Sequence, residues 1–210
     1  MLRNLTLILI LSCAVSFAAY KPLEARAAIF SDDSGSVDIS SAKTFEQYMA
    51  TGSSEHLKTM LERFDEYKVS DFFAEEIKKI DAAATLLMIG MMYCPDCKVV
   101  SPFMEAIAKL NPKISTRYIL RNDTPGAKEF MQNRTGRTNM PAIFVLSPDG
   151  TVLSGAYVET PERVTGMLAS AATDGERDKI WDDFHEGVYD EDVQRDLIEL
   201  IKNATDISKK

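Results

Sequence analysis

A continuous apolar run from Ala84 to Met92, reading ATLLMIGMM, constrains the fold of this chain more than any other segment. The run has the length of a strand, and an unbroken apolar strand needs cover on both of its faces. It leads directly into Cys94 and Pro95, and the apolar residues that follow recur at helical spacing as far as Leu110. The sequence therefore predicts a central strand whose end passes at once into a helix.

The rest of the chain alternates between predicted strands and helices. Further strands are predicted over residues 114–120, 142–146 and 151–158, with the last one antiparallel after the turn Ser147-Pro148-Asp149-Gly150. Helices are predicted after the first two strands and from Thr160 onward, and amphipathic helices also precede Ala84 and follow residue 172. This order predicts an α/β fold in which a mixed sheet is flanked by helices, with helical extensions at both ends.

The same patterns divide the chain of 210 residues into five segments. We expect a signal peptide over residues 1–27, a flexible segment over 28–40, an N-terminal helical extension over 41–83, the α/β domain over 84–172, and C-terminal helices over 173–210. The apolar stripes of the C-terminal helices are expected to pack on the domain.

The first residues have the pattern of an export signal. Arg3 precedes an apolar run from Leu5 to Ala19, and Ala25-Arg26-Ala27 offers the small residues that a signal peptidase needs. The uncharged run is shorter than the roughly 20 residues of a membrane-spanning helix. We expect an exported protein, periplasmic or extracellular after cleavage near Ala27. A lipid anchor at Cys13 is a less favoured alternative.

The charge of the chain narrows the choice of partners. The formal net charge is −8, and the Lys and Arg residues form no cluster. Binding along a nucleic-acid backbone needs a basic surface, so nucleic acid is not an expected partner. We expect a monomer.

Cys94 and Cys97 are the candidate catalytic residues of the chain. At the start of a helix, unpaired backbone N–H groups and the helix dipole favour a thiolate, so Cys94 would attack a substrate disulfide and Cys97 would resolve the mixed disulfide. Zinc is disfavoured because only His56 and His185 are available as further His or Cys ligands in the mature chain. A purely structural disulfide would close too small a loop to stabilise much. We therefore expect no metal and no cofactor beyond a redox-active Cys94–Cys97 pair.

These residues, with two later motifs, resemble the thioredoxin superfamily. The shared features are an aromatic residue before Cys-x-x-Cys, Pro102 five residues after the second cysteine, and Asn139-Met140-Pro141 before a strand that ends in a Pro-Asp-Gly turn. The resemblance implies that Pro141 is cis and faces the cysteines, and that the Met140 backbone pairs with an extended substrate peptide. It also implies that Gly155 lies near the groove in which this substrate peptide would bind.

Two positions depart from the thioredoxin pattern. Tyr93 stands where thioredoxins carry Trp, and Met88 stands where they bury an aspartate that assists proton transfer to the second cysteine. Pro95-Asp96 completes a Cys-Pro-Asp-Cys motif that resembles a cytosolic thioredoxin-related group. Tyr93 and Pro95 are expected to contribute to the substrate contact surface.

Asp96 is a third candidate catalytic residue. Its carboxylate should disfavour the Cys94 thiolate and so favour a reducing or moderate potential over a strongly oxidising one. It could also accept the proton of Cys97 in place of the missing buried acid. A solvated acid in the first turn of a helix, favoured by the dipole, is the plain alternative.

The sequence thus leads to two functional hypotheses. The first is a thiol–disulfide oxidoreductase that acts on protein substrates, leans towards reduction and exchanges electrons with a dithiol partner, which could be membrane-borne. The second is a thioredoxin-like binding module whose flanking helices hold a partner and whose disulfide is not catalytic.

Overall fold

The computed structural model describes residues 38–207 of the chain. The predicted leader, Cys13 and most of the predicted flexible segment therefore lie outside the described residues. A short 3-10 helix at Ile39–Ser41 precedes the regular elements. These elements are, in chain order, α1 (Phe45–Met49), α2 (Ser54–Glu66), α3 (Asp71–Lys78), β1 (Ala84–Gly90), α4 (Pro95–Leu110), β2 (Ile114–Leu120), α5 (Ala127–Thr135), β3 (Ala142–Leu146), β4 (Val152–Val158), α6 (Glu162–Ser170), α7 (Asp174–His185) and α8 (Asp190–Ile207).

The four strands form one mixed sheet in the order β2-β1-β3-β4. β1 is parallel to β2 and antiparallel to β3, and β3 is antiparallel to β4. All seven residues of β1 are buried, which explains its unbroken apolar sequence. The strand ends at Gly90, two residues before the end of the apolar run, because Met91 begins a turn in which the Cys94 N–H donates to the Met91 carbonyl at 3.0 Å. The predicted α/β fold with a mixed sheet flanked by helices is confirmed.

Alternate residues of β1 face two separate hydrophobic cores. Leu87 and Ile89 point to the side that α5 covers through Phe130. Leu86 and Met88 point to the side that holds the remaining helices and both cysteines of the motif. The cysteines therefore lie on the larger core, at the end of the central strand.

Side-chain caps define the helices before β1. Thr44, Ser53 and Ser70 each accept a backbone N–H in the first turn of α1, α2 and α3. The three helices cover the larger core, but their apolar pattern is only partly buried. Leu61 is 51% exposed and Phe72 is 67% exposed.

The C-terminal helices pack onto the domain, as their apolar stripes predict. α8 lies against β4 and α3, and α7 lies against α4. Phe184 and Leu197 are completely buried, whereas Val188 is 63% exposed because it lies in the turn between the two helices. An ion pair between Arg63 and Asp190 joins α2 to the start of α8.

None of the helices described between residues 38 and 207 has both the length and the apolarity needed to cross a membrane.

Candidate active site

Cys94 occupies the N-cap position of α4. Its backbone is extended, and Pro95 takes the first helical position, where a missing N–H leaves no hydrogen bond unmade. The Cys97 backbone N–H donates to the Cys94 Sγ at 3.4 Å. The sulfur therefore lies where the free N–H groups and the dipole of the helix stabilise negative charge.

Cys97 lies one turn further along α4 and is completely buried, whereas Cys94 is 4% exposed. The Cys97 sulfur packs closely on β1, since a Cβ added to Gly90 would lie 2.6 Å from the Cys97 Sγ. Only a residue without a side chain can occupy position 90 while the sulfur stays there. Gly90 therefore sets the position of the second thiol against the sheet.

The two free thiols differ in acidity. A hydrogen bond from the Cys97 thiol lowers the pKa of Cys94, although burial and the negative charge of Asp96 oppose this. Burial raises the pKa of Cys97 well above its ordinary value, and the neighbouring Cys94 acts in the same direction. When one of the pair ionises, the charge is therefore carried by Cys94, the residue predicted to attack.

The Met140–Pro141 peptide bond is cis and lies beside the motif, as the resemblance implies. The Cys94 thiol donates to the Met140 carbonyl at 3.6 Å, across 46 residues of sequence. Pro141 is buried, and Met140 is partly exposed at the edge of the larger core. The structure thus brings Met140 to the first cysteine, as predicted.

Glu159 braces the segment that leads into the cis peptide bond. Its carboxylate accepts hydrogen bonds from Arg137 at 2.6 Å and from Asn139 at 2.8 Å, and its backbone N–H donates to the Pro141 carbonyl at 2.8 Å. Glu159 has a φ of 67°, a left-handed conformation that is uncommon for a residue with a side chain. These contacts hold the backbone on both sides of Met140.

Asp96 forms a contact that the sequence does not reveal. The His185 Nε2 at the end of α7 lies 2.6 Å from the Asp96 Oδ1, although 89 residues separate the two in sequence. The Asp96 side chain is 13% exposed and that of His185 is 33% exposed. Asp96 is therefore a half-buried partner of a C-terminal helix, not a freely solvated acid of the first turn.

Tyr93 and Pro95 lie at the surface on either side of Cys94. Tyr93 is 46% exposed, and its hydroxyl accepts a hydrogen bond from the Asn122 side chain at 2.6 Å. Gly155 is also exposed, but it lies three residues before Val158, which pairs with Ala142 next to Pro141. That spacing puts Gly155 about 10 Å along β4 from the cis peptide bond. The substrate-binding roles of these residues stay predictions.

Tyr48 is a buried polar residue near the position expected to hold an acid. Met88 is fully buried in β1 and pairs with Tyr118 of β2, and the fully buried Tyr48 ring stacks on the Tyr118 ring with centroids 4.8 Å apart. Within the part of the chain that the structure describes, the Tyr48 hydroxyl has no hydrogen-bond partner of ordinary length. Burial raises its pKa, and Cys97 and Cys94 add to that rise, so the hydroxyl is within electrostatic reach of both sulfurs.

Between residues 38 and 207, no three His, Cys, Asp or Glu side chains converge as metal ligands would.

Four residues of the site are not predicted from the sequence to contribute to it: Tyr48, Gly90, Glu159 and His185, of which His185 is considered there only as a disfavoured zinc ligand. Gly90 carried a usable signal, because an isolated glycine within an apolar strand often marks the close approach of another group. The other three act through contacts between elements far apart in sequence, and the sequence pattern gives no signal for them.

Comparisons with known proteins agree with this fold. A family model described as Thioredoxin matches residues 42–173, so the match includes α1 to α6 and ends before α7. Two solved structures share the fold with a TM-score of 0.64 and 20% sequence identity: PA1234 from Pseudomonas aeruginosa, a protein of unknown function, and an HIV epitope scaffold. Each alignment covers 78% of this chain, together with 93% of PA1234 and 94% of the scaffold. A search of curated protein sequences gives no match. The cysteine motif, the cis proline and the family match together identify the chain as a member of the thioredoxin family.

Proposed function

We propose that the protein is a thiol–disulfide oxidoreductase that acts on protein substrates. The observation that carries the proposal is the asymmetry of the two thiols. Cys94 caps a helix and has a lowered pKa, whereas Cys97 is buried one turn away with a raised pKa. Such a pair provides a thiolate for attack and keeps the second thiol protonated until it is needed.

The exchange would take place in two steps. The Cys94 thiolate attacks one sulfur of a substrate disulfide, which forms a mixed disulfide and releases the other substrate sulfur as a thiolate that takes up a proton. Cys97 then loses its proton and attacks the Cys94 sulfur, which closes the Cys94–Cys97 disulfide and releases the second substrate thiol. The substrate gains two electrons and two protons, and a dithiol donor returns the protein to its reduced form.

The surface beside Cys94 supports an extended polypeptide as the substrate. Among the described residues, the Met140 backbone makes no hydrogen bond to other backbone groups, and its carbonyl accepts only the long contact from the Cys94 thiol. An extended chain could pair with such a backbone as a neighbouring strand does. The exposed Tyr93 and Pro95 side chains would contact the residues that flank the substrate cysteine.

The charges of the site support a reducing or moderate potential. The Asp96 carboxylate opposes ionisation of Cys94, so the reduced form is less stabilised than it would be without this acid. An exported reductase would work in an oxidising compartment and would need a thiol relay for electrons, which a membrane-borne dithiol could supply.

Two assays test the proposal. The chain from residue 28 onward should reduce insulin when dithiothreitol supplies electrons, and its Cys97→Ser variant should accumulate a mixed disulfide with substrate. The matched control is Cys94→Ser, which should abolish both signals because the buried Cys97 cannot attack. If the folded protein gives neither insulin reduction nor a mixed disulfide, the oxidoreductase proposal fails and the binding-module hypothesis takes its place.

A further inference from the structure

The contact between Asp96 and His185 joins the redox motif to a helix outside the family match. Asp96 lies between the two cysteines, and His185 is the last residue of α7. The matched thioredoxin segment ends at residue 173, before α7 begins. A C-terminal helix thus contributes a polar group to the Cys-Pro-Asp-Cys motif.

The surroundings of His185 hold its ring in place. The Trp181 ring stacks on the His185 ring with centroids 5.8 Å apart and planes inclined by 22°, and the Phe184 ring lies at 5.7 Å. Across from α7, one cavity is lined by His185, Pro95 and the charged side chains that face it: Glu62, Arg63 and Glu66 of α2 and Lys98 of α4. Arg63 is itself paired with Asp190.

We propose that His185 is a positioning residue for Cys94, because its hydrogen bond to Asp96 holds that carboxylate and offsets its charge beside the attacking sulfur. The inference rests on the proposed redox function and adds a regulating contact to it. Asp96 raises the pKa of Cys94 and so counteracts the helix terminus. A donor bound to the carboxylate draws its negative charge away from the sulfur, whether through a positive charge or through the N–H dipole.

A purely structural role for the contact makes a different prediction. If His185 only anchored α7 to α4, replacing it would lower the free energy of unfolding and leave the acidity of Cys94 unchanged. If it acts through Asp96, the acidity of Cys94 must change, and the change must disappear once Asp96 has lost its charge.

The test is the rate at which iodoacetamide alkylates Cys94 as a function of pH, followed by mass spectrometry in the reduced protein. His185→Leu should slow alkylation about threefold to tenfold below the Cys94 pKa, since one pKa unit corresponds to a tenfold change in thiolate. Asp96→Asn should accelerate alkylation, and adding His185→Leu to Asp96→Asn should change the rate by less than about twofold. Lys179→Gln is the matched control, because it removes an exposed pair with Asp183 on the same helix and should leave the rate unchanged.

Two further variants complete the test. His185→Ala also removes the donor and takes the place of His185→Leu if the leucine variant does not fold. His185→Gln keeps a side-chain donor: if it alkylates as slowly as the variant without a donor, the effect is assigned to charge, and if it alkylates like the wild type while the variant without a donor is slow, the effect is assigned to the hydrogen bond. The proposal is overturned if the folded variant without a donor alkylates at the wild-type rate, or if it slows Cys94 equally in the Asp96→Asn background. Because alkylation needs no substrate disulfide, failure to reduce insulin would refute the proposed function without affecting this result.

Discussion

Gly90→Ala should destabilise the reduced protein through a single collision with the Cys97 sulfur. The added Cβ would lie 2.6 Å from the Cys97 Sγ, whereas non-bonded heavy atoms pack at about 3.5–4.0 Å, so one of them must move by about 1 Å. The backbone at residue 90 has little freedom to move. It pairs with Leu120 in β2, and its carbonyl accepts the Arg121 N–H at 3.1 Å.

The expected cost of the substitution follows from its position in a packed core. Overpacking of this kind costs about 1–3 kcal/mol, and a loss of 2 kcal/mol in a domain of this size lowers Tm by about 4–8 °C. Urea unfolding and calorimetry in a reducing buffer measure both quantities. Gly155→Ala is the matched strand control, because no atom lies within 4 Å of its added Cβ.

A double-mutant cycle attributes the cost to the sulfur. In a Cys97→Ala background the nearest remaining atom of residue 97 is its Cβ, 3.8 Å from the added Cβ and in ordinary contact. The cost of Gly90→Ala should then fall to nearly zero. The steric explanation is refuted if Gly90→Ala is as stable as the wild type, or if its cost is the same with and without the Cys97 sulfur.

Three further substitutions test other parts of the structure. Tyr48→Phe should change the free energy of unfolding by less than about 1 kcal/mol, because the hydroxyl has no ordinary hydrogen bond to lose. The same substitution should prolong the lifetime of the mixed disulfide in a stopped-flow assay, because the hydroxyl lies near Cys97. Glu105 lies in α4 and accepts a hydrogen bond from the buried Tyr118 hydroxyl at 2.6 Å. Glu105→Gln should stabilise the protein at pH 8 more than at pH 4 in urea unfolding. Burial raises the pKa of Glu105, so the native wild type loses stability as pH rises through that pKa, and an equal effect at both pH values would contradict this explanation. Thr173→Ala removes the N-cap of α7 and should cost about 1 kcal/mol in thermal unfolding, whereas no loss would show that the cap is not needed.

The fold could be predicted from the sequence because each of its elements carries a local signal. The apolar run that begins at Ala84 has the composition of a strand buried on both faces, and Pro95 is typical of the first turn of a helix. Ser70 marks the start of α3, and the residues around Asp149 have the composition of a hairpin turn. Each of these signals depends on residues within a few positions of one another.

The site could be predicted only where its residues are close to one another in the sequence. Cys94, Asp96 and Cys97 share one helical turn, so their proximity can be inferred from spacing. The contact between Asp96 and His185 spans 89 residues and depends on how α7 packs on α4. Glu159 likewise meets Asn139 only because β4 runs beside β3. Such contacts depend on tertiary packing, which no local pattern encodes.

The docking of α7 and α8 has a consequence for the timing of activity. Asp190 of α8 pairs with Arg63 of α2, and His185 of α7 contacts Asp96 of the motif, so the two contacts need α7 and α8 in place. A ribosome makes these helices after the rest of the domain, and a peripheral element can open locally while the remaining fold persists. If His185 positions Asp96 as proposed, newly made chains and locally opened molecules would carry a less reactive Cys94. Its alkylation rate would then report the free energy with which the C-terminal helices are attached, in parallel with hydrogen exchange of their amides.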